Sequence, residues 1–148
     1  MRKCSCTTAM ACVRGDAAHP RLMGTVKFSE HRDGTLLIAE ISGLPMDSET
    51  GFFAFHIHEG MDCGGEGFAD SGGHYNPGHV EHPLHAGDLP PLLSVDGRAY
   101  MQVLTGRFRV GEIIGRPVIL HSDPDDFHTQ PSGNAGMKIA CGVIRRVY

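Results

Sequence analysis

Six of the ten histidines in this 148-residue chain fall within one short span: His56, His58, His74, His79, His82 and His85. Imidazole is a proton carrier near neutrality and a frequent metal ligand, so a dense cluster points to a metal site. Two of the six end the apolar run in FFAFHIHEG, residues 52–60. Alternate side chains of a strand share a face, which puts Phe53, Phe55 and Ile57 on one side and Ala54, His56 and His58 on the other. The two imidazoles then stand roughly 7 Å apart at the backbone and can converge on one ion. An H-x-H pair alone is also what a half-exposed strand with two solvent-facing histidines looks like.

The other ring-bearing stretch is GGHYNPGHVEHPLHAGDLP, residues 72–90, which offers His74, His79, His82, His85 and Asp88. Zinc takes nitrogen and carboxylate oxygen in tetrahedral sets, and four protein ligands make a closed, structural site. His82, His85 and Asp88 recur by threes, close enough for one tight loop to wrap an ion, and His74 can supply the fourth ligand. His56 and His58 then belong to a second set, with His121 at the end of PVILH. An all-imidazole, tetragonal set suits Cu(II). The count gives two adjacent sites built from seven side chains if one histidine serves both.

The elements that must position these groups read as short strands. Apolar or alternating runs at 9–13, 23–30, 36–44, 52–58, 95–106, 117–121 and 136–144 are separated by turn signals, including Asp33-Gly34 and Asp96-Gly97. No 3.6-residue apolar stripe lasts three turns, so no helix is expected. Seven or eight strands with 20 glycines and 9 prolines between them describe an antiparallel sandwich or barrel in one domain. The section from Glu59 to about Pro91 is far longer than an ordinary loop, which marks it as functional.

Composition narrows the partners. A formal net charge of −4 without a basic run argues against nucleic acid, and no apolar run approaches membrane-spanning length. The start, MRKCSCTTAMACVRGD, lacks the apolar core of a secretion signal. That suggests a cytoplasmic protein, or a periplasmic or extracellular one whose export segment has been removed.

At this point four separated motifs match one family in the right order. FHIHEG, GGHYNP, HAGDLP and GNAGMKIACGVI resemble the corresponding elements of the copper–zinc superoxide dismutases, over nearly the whole chain. The resemblance implies an eight-stranded antiparallel Greek-key β-barrel, an immunoglobulin-like sandwich with long metal-binding loops, over residues 9–148. Residues 1–8 would form a flexible segment. It implies one copper held by His56, His58, His74 and His121, and one zinc held by His74, His82, His85 and Asp88. His74 would bridge the two as an imidazolate. The family spacing of eight residues after the bridge selects His82 over His79. Asp125 would link a copper and a zinc histidine from behind, and Cys63 and Cys141 would form a disulfide. The substrate implied is superoxide; a homo-oligomer is compatible with the sequence, which does not set the oligomeric state.

Other features are less conventional. Cys12, in the first strand, reads as a small buried hydrophobe. Cys4-Ser5-Cys6 could present two thiolates to Cu(I), or be incidental cysteines of a frayed terminus. The family's anion-guiding arginine is replaced by Lys138, which keeps the charge and loses the rigid fork. The zinc loop is short between His82 and His85, and so is the segment from His121 to Gly133. This shortening suggests a bacterial-like member with a more open copper site, with Asp123, Asp125 and Asp126 near its rim weakening anion attraction. The rival to a dismutase is a non-catalytic copper-binding or copper-delivery protein using Cys4 and Cys6, and behind it a zinc-only structural module.

Overall fold

Apolar alternation in the sequence becomes a curled antiparallel sheet in a computed structural model that describes residues 6–147. The strands are β1 (Ala9–Gly15), β2 (Met23–His31), β3 (Gly34–Ser42), β4 (Phe52–Phe53), β5 (Phe55–Ile57), β6 (Leu92–Leu93), β7 (Ala99–Thr105), β8 (Pro117–His121) and β9 (Lys138–Arg146). Seven of them lie in the order β5-β8-β9-β1-β2-β3-β7, and β4 pairs with β6. The chain crosses from β3 to the far edge at β5, returns to the opposite edge at β7 beside β3, and crosses back to β8 between β5 and β9, which are Greek-key crossovers. The small sheet spans the gap, since β4 runs directly into β5 and β6 lies against β7.

The run at 52–58 is one strand broken at Ala54. Its N–H donates to Asp123 O and its carbonyl accepts from the His121 N–H. Counted as one, β4 and β5 bring the total to the eight strands of the expected barrel. The two-residue β6 was not legible, because Leu92 and Leu93 follow two prolines and show no alternation. Among the described residues the helix content is small, as the missing 3.6-residue period implies: a 3-10 turn at Glu66–Ser71 and one α-turn at Val110–Ile113. No described helix is long and apolar enough to cross a membrane.

The β2–β3 hairpin forms at the Asp-Gly signal, with His31 paired to Gly34 and Arg32–Asp33 at the tip. At the second signal Asp96 and Gly97 take φ of 51° and 79°, between the Val95–Arg98 bridge. Positive φ at both central residues suits the twist of a tight hairpin.

Inside the curl, Phe28, Leu37, Phe53, Phe55, Ile57, Leu92, Ile113 and Ile144 share one core. Each such side chain contributes about 1.5–3 kcal/mol on burial. The core takes the Phe53–Phe55–Ile57 face, so His56 and His58 must point away from it. On β1, Ala9, Ala11 and Val13 are buried and Cys12 is exposed. The expected burial of Cys12 is therefore wrong: the strand's inward phase belongs to its odd-numbered neighbours. Cys6 is also exposed, whereas Cys4 lies outside the described residues. Cys63 and Cys141 are joined, tying the loop after β5 to β9.

Candidate metal centre

The strand-borne histidines converge behind the barrel wall. On β5, His56 pairs with Ile119 of β8, and His121 ends β8. Between β8 and β9 the register slips: Leu120 faces Ala140, but His121 faces Lys138, passing over Ile139. Such a bulge re-aims a side chain, and here it places the His121 ring and the Lys138 stem at the same end of the barrel. His58 Nε2 lies 3.3 Å from His121 Nε2. His56, His58, His74 and His121 together offer ring nitrogens all within 4.8 Å of one another.

The loop-borne set is held against the strand by backbone pairing. Ile57 N–H donates to Gly87 O, and Tyr75 N–H to Ile57 O, each at 2.9 Å. A Cβ on Gly87 would stand 2.3 Å from Ile57 O, so this approach requires glycine. His74 Nδ1 is then 2.8 Å from Asp88 Oδ1 and 3.2 Å from His85 Nδ1. His82 Nδ1 and His85 Nδ1 lie 3.1 and 3.3 Å from Asp88 Oδ2. His79 is exposed, at φ 51°, and takes no part. The second group of donors within 4.8 Å of one another is His56, His74, His82 and Asp88, so the groups overlap at both His56 and His74, and His85 stands beside the second, its Nδ1 3.3 Å from Asp88 Oδ2. His74 turns its Nδ1 to Asp88 and leaves its Nε2 free of any hydrogen bond.

Asp125 connects the sets from behind. His56 Nε2–H donates to its Oδ2 at 2.8 Å and His82 Nε2–H to its Oδ1 at 2.7 Å, while Phe127 N–H adds a third bond. These partners fix each ring's tautomer and leave Nδ1 of His56 and of His82 without a hydrogen bond. Gly133 makes the room: a Cβ there would fall 2.0 Å from Asp125 Oδ1.

The sequence model of the copper/zinc superoxide dismutase family matches residues 22–144. The chain belongs to that family. It is 37% identical over 142 aligned positions to the copper–zinc superoxide dismutase 2 of Aquifex aeolicus, spanning 84% of this chain and 80% of that one. Identity to the enzyme of Deinococcus radiodurans is 32% over 148 positions, spanning 86% and 79%. The Cu/Zn superoxide dismutase of Brucella abortus superposes with a TM-score of 0.77 at 28% identity, covering 91% of this chain and 98% of that one. A dismutase-like protein of Bacillus subtilis gives 0.75 at 25%, covering 90% and 96%.

The donor sets fit the family's two metals. A buried polar atom left unpaired costs about 1–3 kcal/mol. Here His56 Nδ1, His74 Nε2 and His82 Nδ1 are all unpaired within the clusters, which is intelligible if ions complete them. Four imidazoles suit copper, and three Nδ1 atoms with a carboxylate suit zinc. Burial holds His58 near a pKa of about 2 and His121 near about 3, so both are neutral and ready to ligate at physiological pH. Burial likewise lowers His56 and His85. It would raise Asp125, but hydrogen bonds from His56 and His82 outweigh it and keep the carboxylate ionised. Asp88 is lowered in the same way, chiefly by His74 against the effect of burial.

Two sequence expectations fail here. The shortened loops do not leave the rings open, since His56, His58, His74, His82, His85 and His121 are each at most 7% exposed. Asp125 is not a rim charge but is buried between two imidazoles; Asp123 is exposed, and Asp126 caps Thr129. Sequence reasoning also missed the residues that hold the loop. Gln130 clasps the backbone of His82 in both directions, and Arg107 Nη1 donates to the carbonyls of Pro83 and His85. Neither stands in a motif that would have signalled it. Ser71 was missed as well, and it touches Lys138.

Proposed function

We propose that this protein dismutes superoxide, with His56, His58, His74 and His121 holding copper and His74, His82, His85 and Asp88 holding zinc. The observation that carries the reading is the shared ring of His74. One nitrogen lies against Asp88 and His85, the other is unpaired and buried, and the ring groups with His56, His58 and His121 as donors within 4.8 Å of one another.

Bound copper supplies one-electron redox chemistry, by which one superoxide leaves as dioxygen and a second, with two protons, as hydrogen peroxide. The chain's own part is geometry and protons. Asp125 keeps His56 and His82 in the tautomers that aim Nδ1 inward. Gly72 O accepts the His58 Nδ1–H at 2.8 Å and frees Nε2. His74 Nε2 is the atom placed to take up and return a proton, while Asp88 and the loop hold the ring still. Lys138, paired across the strands with His121, puts a cation beside the copper set.

The delivery reading would require the Cys4 and Cys6 thiols, of which Cys6 is exposed and Cys4 lies outside the described residues. We read residues 9–148 as the domain and 1–8 as a segment before it, although Thr8 already bonds Phe28 O and the Val147 N–H. The disulfide suits an oxidising compartment, which favours the periplasm or the cell exterior over the cytoplasm. Metal analysis and a superoxide assay on one purified sample test the function. About one copper and one zinc per chain with rapid dismutation supports it, whereas a copper- and zinc-loaded sample without dismutation overturns it.

A further inference from the structure

Lys138 is not a free cation at the mouth of the site. Its Nζ donates to Ser71 Oγ at 2.8 Å and to Gly72 O at 2.9 Å, with Phe68 O at 3.5 Å. Ser71 is fully buried, and its own hydroxyl proton goes to Phe68 O at 2.7 Å. Its oxygen is therefore left as an acceptor for the ammonium. The Gly72 carbonyl accepts twice, from Lys138 and from the His58 Nδ1–H. One lysine thus reaches a ring of the four-imidazole group through a single carbonyl.

The backbone of this segment needs such a clasp. Phe68 has φ 59°, a left-handed conformation unusual for an aromatic residue, and Gly72 combines φ 68° with ψ −154°, a region open essentially to glycine. An ammonium gathers its protons around one atom, whereas a guanidinium spreads them in a plane. The Ser71 oxygen and the Gly72 carbonyl both lie within 3 Å of the one Nζ point, so the hydroxyl is fitted to lysine.

We propose that Ser71 and Lys138 form a positioning unit that holds the Gly72 carbonyl on His58 Nδ1–H and keeps His58 Nε2 aimed into the four-imidazole group. This rests on the copper reading of that group and adds to it a residue, Ser71, that carries no charge and touches no ligand atom. It also gives Lys138 a task that survives screening by salt.

The test uses the protein loaded with Cu(II) and zinc, and reads both the copper electron paramagnetic resonance spectrum and the dismutation rate. Ser71→Ala keeps the ammonium and removes its acceptor. The spectrum should shift, and the rate should fall by about 10-fold, the lower end of what lost ligand-orienting partners cost. The dependence of rate on ionic strength should keep its slope. Ser71→Thr, which retains the hydroxyl, should restore spectrum and rate, and Lys138→Met should reproduce the spectral shift. An unaltered spectrum and rate in Ser71→Ala, or an unaltered spectrum in Lys138→Met, would overturn the proposal. A wild-type protein that bound copper without dismuting would sink the functional reading instead, and the Ser71→Ala spectrum would still decide the positioning role.

Discussion

The copper-facing and zinc-facing halves of the centre are built on different principles. His56, His58 and His121 sit on or at the ends of strands whose opposite faces are packed with Phe53, Phe55 and Ile57 on one and Val118 and Leu120 on the other, so the core itself sets their direction. His82, His85 and Asp88 sit on a loop with no strand of its own, fastened by the Gly87 approach, the Gln130 clasp and Arg107. The first half is preorganised by packing that folding requires anyway. The second depends on a handful of hydrogen bonds, each worth about 0.5–1.5 kcal/mol net. It follows that the loop half should respond more strongly to perturbation, and that whatever joins the halves should matter most of all.

The largest effect is expected where the halves meet. His74→Ala removes one ligand from each set, and should abolish dismutation and loosen both metals. Retention of full zinc occupancy with near-normal activity would mean that the two sites do not share a ring. The disulfide joins the halves differently, by fastening the loop after β5 to β9 across a separation of 78 residues. Loop closure of that size is worth about 4–5 kcal/mol in the chain-entropy picture, and often less in practice. Reduction should therefore lower the melting temperature of the metal-free protein by several degrees. Identical melting with and without reductant, thiol titration having shown the bond broken, would remove the tether from the account.

The same contrast explains what the sequence disclosed. The strand half was legible because a period of two fixes which residues share a face, and FFAFHIH states that period openly. The loop half was read from spacing by threes as His82, His85 and Asp88 with His74, but His79 lies on the same spacing, and only the family interval of eight residues chose between it and His82. What separates them is tertiary: Asp125 and Gln130 reach His82 from far along the chain, while Asn76 closes the turn around His79 by bonding Val80 in both directions. Cys12 and the openness of the site were misjudged for a related reason. Strand phase and loop packing are set by neighbours that no local pattern names.

Within the loop, His82→Ala should weaken zinc binding by about 10-fold or more, as loss of a ligand and of its Asp125 partner would demand. His79→Ala should leave it unchanged. A competition titration with a zinc chelator measures both, and the reverse order would move the ligand to His79.

The smallest effect concerns Lys138, and it separates charge from position. If its ammonium only attracted superoxide, its loss would matter at low ionic strength and vanish once the screening length fell to about 3 Å near 1 M salt. Because the same ammonium also holds the Gly72 carbonyl, part of the loss should persist at high salt. Lys138→Ala and Lys138→Glu should both slow dismutation at low salt, Glu more, since it reverses the charge beside His121. As salt rises the two variants should converge, and they should converge below the wild-type rate rather than on it. Lys138→Arg should keep the wild-type salt slope, because the charge is retained, yet gain nothing at high salt, because its fork does not match Ser71 Oγ. Rates measured for the three variants across a salt series decide the matter. Convergence on the wild-type rate would leave Lys138 a steering charge alone, and three rates indifferent to salt would deny it even that.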